Sequence, residues 1–173
     1  EVNDEYELIN PIGFEQPLAP IVAARMSGTR IDLEKVHAAF TTLLERHDFL
    51  FVEGIGGLMV PIDEYYFIID LANELELPLI VVCRNALGTI NHTLLTVSYA
   101  RQHGLDIKGV IINESSENNG DMLKKTNVDE IKRLTGLPIL GTIPFDKRLD
   151  TKNPHKDIVL KIFGDKISKD III

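Results

Sequence analysis

Residues 77–113 read LPLIVVCRNALGTINHTLLTVSYARQHGLDIKGVIIN. The apolar runs at the two ends predict strands over 77–83 and 107–112. The amphipathic stretch between them predicts a helix over 89–103, which Gly104 ends. A strand, a helix and a second strand in this order form the unit that joins parallel strands in one sheet. The stretch therefore predicts an α/β fold.

The alternation of helices and strands extends towards the N-terminus. Apolar residues on one face predict a helix over 32–47, and Asp32 is a suitable cap for it. An unbroken apolar run at 49–52 predicts a strand that is covered on both faces. A further helix is predicted over 63–76. These elements would add a strand and two helices to the fold.

The pattern also extends towards the C-terminus, where a strand is predicted over 139–143. A polar helix that ends near 134–136 precedes this strand, and the tail after Asp157 is expected to form one more helix. The prediction is one α/β domain over residues 1–173, with a mostly parallel sheet and helices on both faces.

Composition narrows the class of protein. The chain of 173 residues is 45% hydrophobic and 25% charged, which is typical of a globular domain. The net charge of −8 argues against nucleic acid as a partner. No apolar run approaches the ~20 residues of a bilayer span, so no membrane partner is expected. The single cysteine, Cys83, is interpreted as a buried apolar residue, and a cytoplasmic location is expected.

Ligands of such sheets bind beyond the carboxyl ends of the strands. After the predicted strand at 49–52 the sequence reads Glu53-Gly54-Ile55-Gly56-Gly57. A carboxylate suits Mg²⁺, and glycines let backbone N–H groups approach a phosphate. A tight turn with an exposed glutamate explains the same residues equally well.

Two further strand ends carry candidate site residues. Asn113 and Glu114 follow the strand at 107–112, and the asparagine amide matches the donor and acceptor of adenine. The alternative is an asparagine that forms a turn with its own backbone. Pro144, Phe145 and Asp146 follow the last strand, where they could border a base or simply end the strand.

Residues 88–92 (GTINH) open the helix after the strand at 77–83. Free N–H groups at a helix N-terminus bind carboxylates, and Thr89 or Asn91 could also cap the helix. The five histidines form no pair at zinc-ligand spacing, which argues against a zinc enzyme. No phosphate-binding loop of the form GxxxxGK[ST] occurs in the chain.

Five segments, taken in order, resemble segments of the dethiobiotin synthetase family. They are 10–20 (NPIGFEQPLAP), 52–61 (VEGIGGLMVP), 87–96 (LGTINHTLLT), 109–113 (GVIIN) and 141–144 (GTIP). The resemblance implies a P-loop NTPase-like fold and a reaction that consumes ATP with Mg²⁺. It also implies that 7,8-diaminononanoate is carboxylated with CO₂ and then closed to the ring of dethiobiotin, with ADP and phosphate as the other products.

The resemblance also implies roles for individual residues. Glu53 would bind Mg²⁺ and the ATP phosphates. Gly54, Ile55 and Gly56 would line the phosphates. Asn113, with Glu114 beside it, would face adenine. Pro144, Phe145 and Asp146 would border the base and the ribose. In a homodimer, Gly88, Thr89 and Asn91 would hold the substrate carboxylate in the neighbouring subunit's site.

Two departures from the family are visible in this chain. The family's P-loop, with its strand, its lysine and a metal-binding aspartate, has no counterpart here, so the central strand and the catalytic residues are expected outside residues 1–173. These residues alone are therefore expected neither to make dethiobiotin nor to hold ATP tightly. In addition, Ile21 replaces a histidine that is common in the family.

Two other classes of protein remain open at this stage. The first is a related P-loop amidoligase or partitioning-type ATPase on the same fold, because fold analogy alone does not separate these activities. The second is a degenerate, non-catalytic nucleotide-binding or regulatory domain. The segments at 10–20 and 88–92 favour the synthetase.

Overall fold

The computed structural model describes residues 3–116, 121–149 and 155–167. The chain divides into two compact units, an N-terminal unit (Glu1–Glu74) and a C-terminal unit (Leu75–Ile173). None of the helices in the described ranges combines the length and the apolarity that crossing a bilayer requires.

The N-terminal unit is mainly helical with one small hairpin. Its elements are α1 (Tyr6–Ile9), α2 (Pro20–Met26), α3 (Leu33–Arg46), β1 (Pro61–Asp63), β2 (Tyr66–Phe67) and α4 (Ile68–Glu74). Strands β1 and β2 pair antiparallel. Helix α3 confirms the helix predicted over 32–47. Asp32 caps it as predicted, since its side chain accepts a hydrogen bond from the Lys35 N–H at 3.4 Å.

A polar cluster fixes the segment before α1 to the end of α3. The Asp4 carboxylate accepts a hydrogen bond from Arg46 Nη1 at 2.9 Å and lies 2.7 Å from His47 Nε2. These hydrogen bonds, led by the one from Arg46, lower the pKa of Asp4. The N-terminal segment is therefore held by charge-assisted hydrogen bonds as well as by packing.

The prediction of a buried strand at 49–52 is wrong for the described structure. These residues are irregular, and the side chains of Phe49, Phe51 and Val52 are 46%, 68% and 47% exposed. A strand needs a neighbour that pairs with its backbone, and no described segment pairs with this one. An apolar run predicts that a segment can be buried, but it does not supply the pairing partner.

The helix predicted over 63–76 is shorter than expected. Its first residues instead form the end of β1, a two-residue turn at Glu64 and Tyr65, and β2. The Asp63 side chain accepts the Glu64 N–H at 2.8 Å at the start of this turn. Helix α4 then begins at Ile68, with the Asp70 carboxylate accepting the Phe67 N–H at 2.7 Å. Local side-chain hydrogen bonds thus favour a hairpin where the apolar spacing predicts a helix.

The C-terminal unit has the alternating order predicted for it. Its elements are β3 (Leu79–Arg84), α5 (Thr89–Gln102), β4 (Ile107–Asn113), α6 (Asp121–Thr135), β5 (Ile139–Ile143) and α7 (Lys156–Lys166). The three strands form one parallel sheet in the order β3-β4-β5. The α/β fold class is confirmed.

One face of this sheet forms the core with α5 and α6. The buried residues of the core are Val81, Val97, Val110, Ile112, Ile131 and Leu137. Cys83 packs against this cluster as a partly buried residue, which agrees with its interpretation as an apolar side chain. Helix α7 contacts β5, and Ile167 pairs with Gly141 in a single antiparallel bridge.

Candidate functional site

The carboxyl ends of β3, β4 and β5 lie along one edge of the sheet because the strands are parallel. Arg84 is opposite Asn113, and Asn113 is opposite Ile143. Beyond the last paired residues, the Asn85 N–H donates to the Asn113 carbonyl and the Glu114 N–H donates to the Ile143 carbonyl, each at 2.9 Å. These bonds hold the three strand ends at fixed spacing. Ligands of such sheets bind just beyond these carboxyl ends.

Two neighbouring residues at this edge have different surroundings. The Asn113 side chain is exposed, and no described residue forms a hydrogen bond with its amide. Glu114 is mostly buried, and its carboxylate accepts a hydrogen bond from Lys124 Nζ of α6 at 2.9 Å. The group that remains available to a ligand is therefore the asparagine amide, which offers both a donor and an acceptor.

Pro144, Phe145 and Asp146 follow β5 and are all partly buried. The Asp146 carboxylate accepts hydrogen bonds from the backbone N–H and the Nε of Arg148, each at 2.9 Å. The hydrogen bonds from Arg148 lower the pKa of Asp146 to about 2. Asp146 is thus ionised and committed to its own turn, whereas the two residues before it offer apolar surface.

At the start of α5, the groups available to a ligand are mainly backbone N–H donors. Gly88, with φ +91°, precedes the helix, and the Thr89 N–H donates to the Ala86 carbonyl at 3.1 Å. Thr89 is 5% exposed, so its side chain faces the interior. Among the described residues, no acceptor is bonded to the N–H groups of Ile90 and Asn91. These two N–H groups, with the exposed Asn91 side chain, suit a carboxylate.

A buried pair of asparagines lies behind this edge and was missed from the sequence. Asn85 is 1% exposed and Asn127 of α6 is 6% exposed. The Asn127 amide donates to Asn85 Oδ1 at 3.0 Å. Asn85 could have been noticed because it directly follows β3, whereas Asn127 is one polar residue among many in an amphipathic helix.

The glycine segment of the N-terminal unit has two positions where a side chain would not fit. A Cβ on Gly54 would lie 2.9 Å from Ile68 Cγ2, and a Cβ on Gly56 would lie 2.7 Å from Val60 Cγ2. Gly56 also has φ +76°, in the left-handed region that favours glycine. Within the described ranges, the N–H groups of residues 54–57 donate to no acceptor. The turn and the phosphate interpretations both remain compatible with this geometry.

Glu53 stands at the start of this segment as an exposed carboxylate. The described residues give it no ion pair, and they contain no group of three His, Cys, Asp or Glu side chains that could hold a metal ion. Mg²⁺ in nucleotide sites takes one or two carboxylates, substrate phosphate oxygens and water. A single free carboxylate beside unbonded N–H groups fits Mg²⁺ held with a phosphate, and it does not fit a metal cage made of protein alone.

The predicted site residues are therefore distributed over two regions. The residues predicted for the metal and the phosphates lie in the N-terminal unit: Glu53, Gly54, Ile55 and Gly56. Those predicted for the base and for the substrate carboxylate lie in the C-terminal unit, which brings Asn113, Glu114 and Pro144 to one sheet edge.

Comparison with known proteins gives one family. A family model described as "AAA domain" matches residues 1–153. The chain is 43% identical over 152 residues to the ATP-dependent dethiobiotin synthetase BioD of Thermodesulfovibrio yellowstonii, covering 84% of this chain and 63% of the relative. It is 41% identical over 168 residues to the protein of the same name from Bacillus subtilis, covering 97% and 70%.

A third relative of that name, from Bacillus cereus, is 45% identical over 137 residues, which cover 79% of this chain and 56% of the relative. The chain thus spans between 56% and 70% of the length of these three relatives.

Proposed function

The chain belongs to the ATP-dependent dethiobiotin synthetase family, and we propose that the protein containing it converts 7,8-diaminononanoate, CO₂ and ATP to dethiobiotin, ADP and phosphate. The observation that carries the proposal is the 41% identity over 97% of this chain to a relative of that name. The proposed site also offers candidate residues for the ATP phosphates, the adenine base and the substrate carboxylate.

The reaction proposed has three steps. One substrate amine adds to CO₂ and loses a proton, which gives a carbamate. A carbamate oxygen then forms a bond to the γ-phosphorus of ATP, and the bond to the β,γ-bridging oxygen breaks to release ADP. Finally, the second amine attacks the carbonyl carbon, loses a proton and expels phosphate, which closes the cyclic urea. Positioning and charge neutralisation are the main tasks of a protein in such a reaction.

The phosphate side is assigned to the start of the glycine segment. Glu53 would hold Mg²⁺, and the N–H groups of Gly54, Ile55 and Gly56 would contact phosphate oxygens. Mg²⁺, when bound, neutralises charge on the transferred phosphoryl group. The absence of a side chain at residues 54 and 56 is what lets the backbone approach an anion.

The base side is assigned to the carboxyl edge of β4 and β5. Asn113 would bond to adenine, whose N6 group donates and whose N7 accepts. Guanine would favour a carboxylate, and the nearest one, Glu114, is already paired with Lys124 at 2.9 Å. Pro144 and Phe145 would cover the base, and Asp146 would border the ribose through the turn that it stabilises.

The substrate carboxylate is assigned to the start of α5, in a homodimer. Gly88 shapes the turn, Thr89 begins the helix, and the N–H groups of Ile90 and Asn91 would bond to the carboxylate in the neighbouring subunit's site. Leu87 and Leu95 are 90% and 62% exposed on either side of Asn91, which supports an apolar contact there. Mixing Asn91→Ala and Glu53→Ala proteins should then restore activity, whereas a monomer at working concentration would refute the dimer.

We propose a cytoplasmic location for this protein. The experiment that tests the function incubates the full-length protein with ATP, Mg²⁺, ¹³C-bicarbonate and the diamine. Mass spectrometry should find one ¹³C atom in dethiobiotin for each ADP formed. Hydrolysis of ATP without the diamine would instead favour a partitioning-type ATPase, and ligation of another substrate an amidoligase. Absence of both hydrolysis and ligation would indicate a non-catalytic domain.

A further inference from the structure

We propose that the buried amide pair of Asn85 and Asn127 is a positioning element that orders two proposed subsites together. One is the Asn113 strand end, and the other is the start of α5. The proposal rests on the proposed function for the identity of the ligands, but its structural part concerns the pair alone. Neither asparagine would touch a reactant, so both would act through the segments that they hold.

The pair forms a small hydrogen-bonded bridge between α6 and the loop after β3. Asn127 Nδ2 donates to Asn85 Oδ1 at 3.0 Å and lies 3.4 Å from the Ala86 carbonyl. Asn85 Nδ2 donates in turn to the Lys124 carbonyl at 3.2 Å. Because both side chains are almost fully buried, a broken bond could not be replaced by water without cost.

The bridge reaches the start of α5 through Ala86. The carbonyl of Ala86 accepts the Thr89 N–H at 3.1 Å and the amide of Asn127. The same carbonyl therefore fixes the first residue of α5 to α6. The N–H groups of Ile90 and Asn91, which are proposed to bind the substrate carboxylate, follow directly on this fixed point.

The bridge reaches the proposed base site through the backbone of Asn85. The Asn85 N–H donates to the Asn113 carbonyl at 2.9 Å, so the residue that pairs with Asn127 also holds the end of β4. A second connection runs from α6 itself, where Lys124 Nζ donates to Glu114 at 2.9 Å. A displacement of Asn85 would thus move both subsites, because one residue is bonded to both.

A positioning role and a purely structural role predict different results. If the pair only satisfied buried polar groups, removing both amides together would recover part of the stability that Asn127→Leu loses and leave substrate affinity unchanged. If the pair positions the two subsites, KM for ATP and KM for the diamine should both rise and should stay raised after stability returns. The turnover number should change less than either KM, since neither side chain contacts the reacting atoms.

The test compares three variants of the full-length protein with the parent. Asn127→Leu removes one partner, Asn85→Leu/Asn127→Leu removes both, and Thr126→Val is the matched control from an exposed position of α6. We expect Asn127→Leu to lower the melting temperature and to raise both KM values by about three- to tenfold. The double variant should regain part of the stability and keep both KM values raised, while the control matches the parent.

Two results would overturn the proposal. One is a pair of KM values within about twofold of the parent in the double variant. The other is a rise in only one KM, which would show that the two subsites are not ordered together. The double variant also keeps the test decisive if Asn127→Leu alone does not fold.

Failure of the proposed function would be recognised separately, as a parent protein that makes no dethiobiotin. In that case hydrogen exchange still tests the pair. The backbone N–H groups of residues 85 and 89 should exchange faster in the double variant than in Thr126→Val. Unchanged protection of both amides would overturn the positioning role.

Discussion

The two units of the chain differ in how completely their apolar residues are buried. The C-terminal unit holds Val97, Val110, Ile112 and Ile131, each at most 2% exposed. Among the described residues of the N-terminal unit, Ile69 is the one large apolar side chain buried to that extent, whereas the apolar run at 49–52 is largely exposed. The units therefore have similar sequence patterns and different packing.

The difference arises from where the hydrogen-bonding partners are. Each strand of the C-terminal unit has a neighbouring strand within the same unit, and α5 and α6 cover one face of the sheet that these strands form. The run at 49–52 has no paired strand among the described residues. Burial of an apolar segment thus depends on a partner that satisfies its backbone, and not on the segment alone.

The largest effect is expected from Ile131→Ala in the core of the C-terminal unit. Ile131 is fully buried, so the substitution leaves a cavity and should lower the free energy of unfolding by about 3–4 kcal/mol. Leu134→Ala, on the same helix but 43% exposed, is the control and should cost about 1 kcal/mol or less. Urea unfolding measures both, and equal costs would contradict the packing described for α6.

The next largest effect is expected from Glu53→Ala in the N-terminal unit. Loss of a group that neutralises charge in the transition state should lower kcat by about a hundredfold or more. Glu53 is exposed, so the melting temperature should stay unchanged. Glu64→Ala, an exposed glutamate of the same unit, is the control. Parent-like turnover in a folded Glu53→Ala protein would rule out the metal role.

A smaller and local effect is expected from Gly141→Ala in β5. A Cβ there would lie too close to the carbonyl of Lys166, so the end of α7 would have to move away from the strand. The expected cost is about 1–3 kcal/mol. Gly164→Ala, within α7 and with open space around it, should instead stabilise the helix by about 0.5–1 kcal/mol. Hydrogen exchange over α7 distinguishes the two, and equal protection would refute the contact.

The smallest effect is expected from Arg148→Ala, which removes the partner of Asp146. The pKa of Asp146 is about 2 because Arg148 donates to its carboxylate, and it should rise towards the ordinary 3.8 in the variant. Because the pair lowers the folded-state pKa, its contribution is present above about pH 4 and is lost as the pH falls towards 2. Titration of the carboxyl carbon by NMR measures the shift, and an unchanged pKa would contradict the ion pair of Asp146 with the Arg148 guanidinium.

The sequence predicts the C-terminal unit well because its pattern is local. The strands and the helix of 77–113 are each signalled by their own residues, and the partners follow in chain order. The hairpin that replaces the start of the helix over 63–76 depends on side-chain hydrogen bonds that apolar spacing does not encode. The prediction at 49–52 failed because pairing is a property of two segments.

The candidate site shows the same division. Asn113 was predicted because it ends a recognisable strand, and the structure leaves its amide available. The pairing of Glu114 with Lys124 and the bond between Asn127 and Asn85 could not be predicted. The partners are separated by 10 and 42 positions in the sequence, and they meet only in the folded chain. The roles of all these residues in binding remain predictions.

The measurement that tests the account most directly is nucleotide binding by full-length Asn113→Leu. We expect the parent to bind ATP more tightly than GTP and than tripolyphosphate, because the Asn113 amide contacts the base. The variant should lose about 1–3 kcal/mol of the preference for ATP and bind tripolyphosphate like the parent. An unchanged preference for ATP in a folded variant would contradict the placement of adenine at the end of β4.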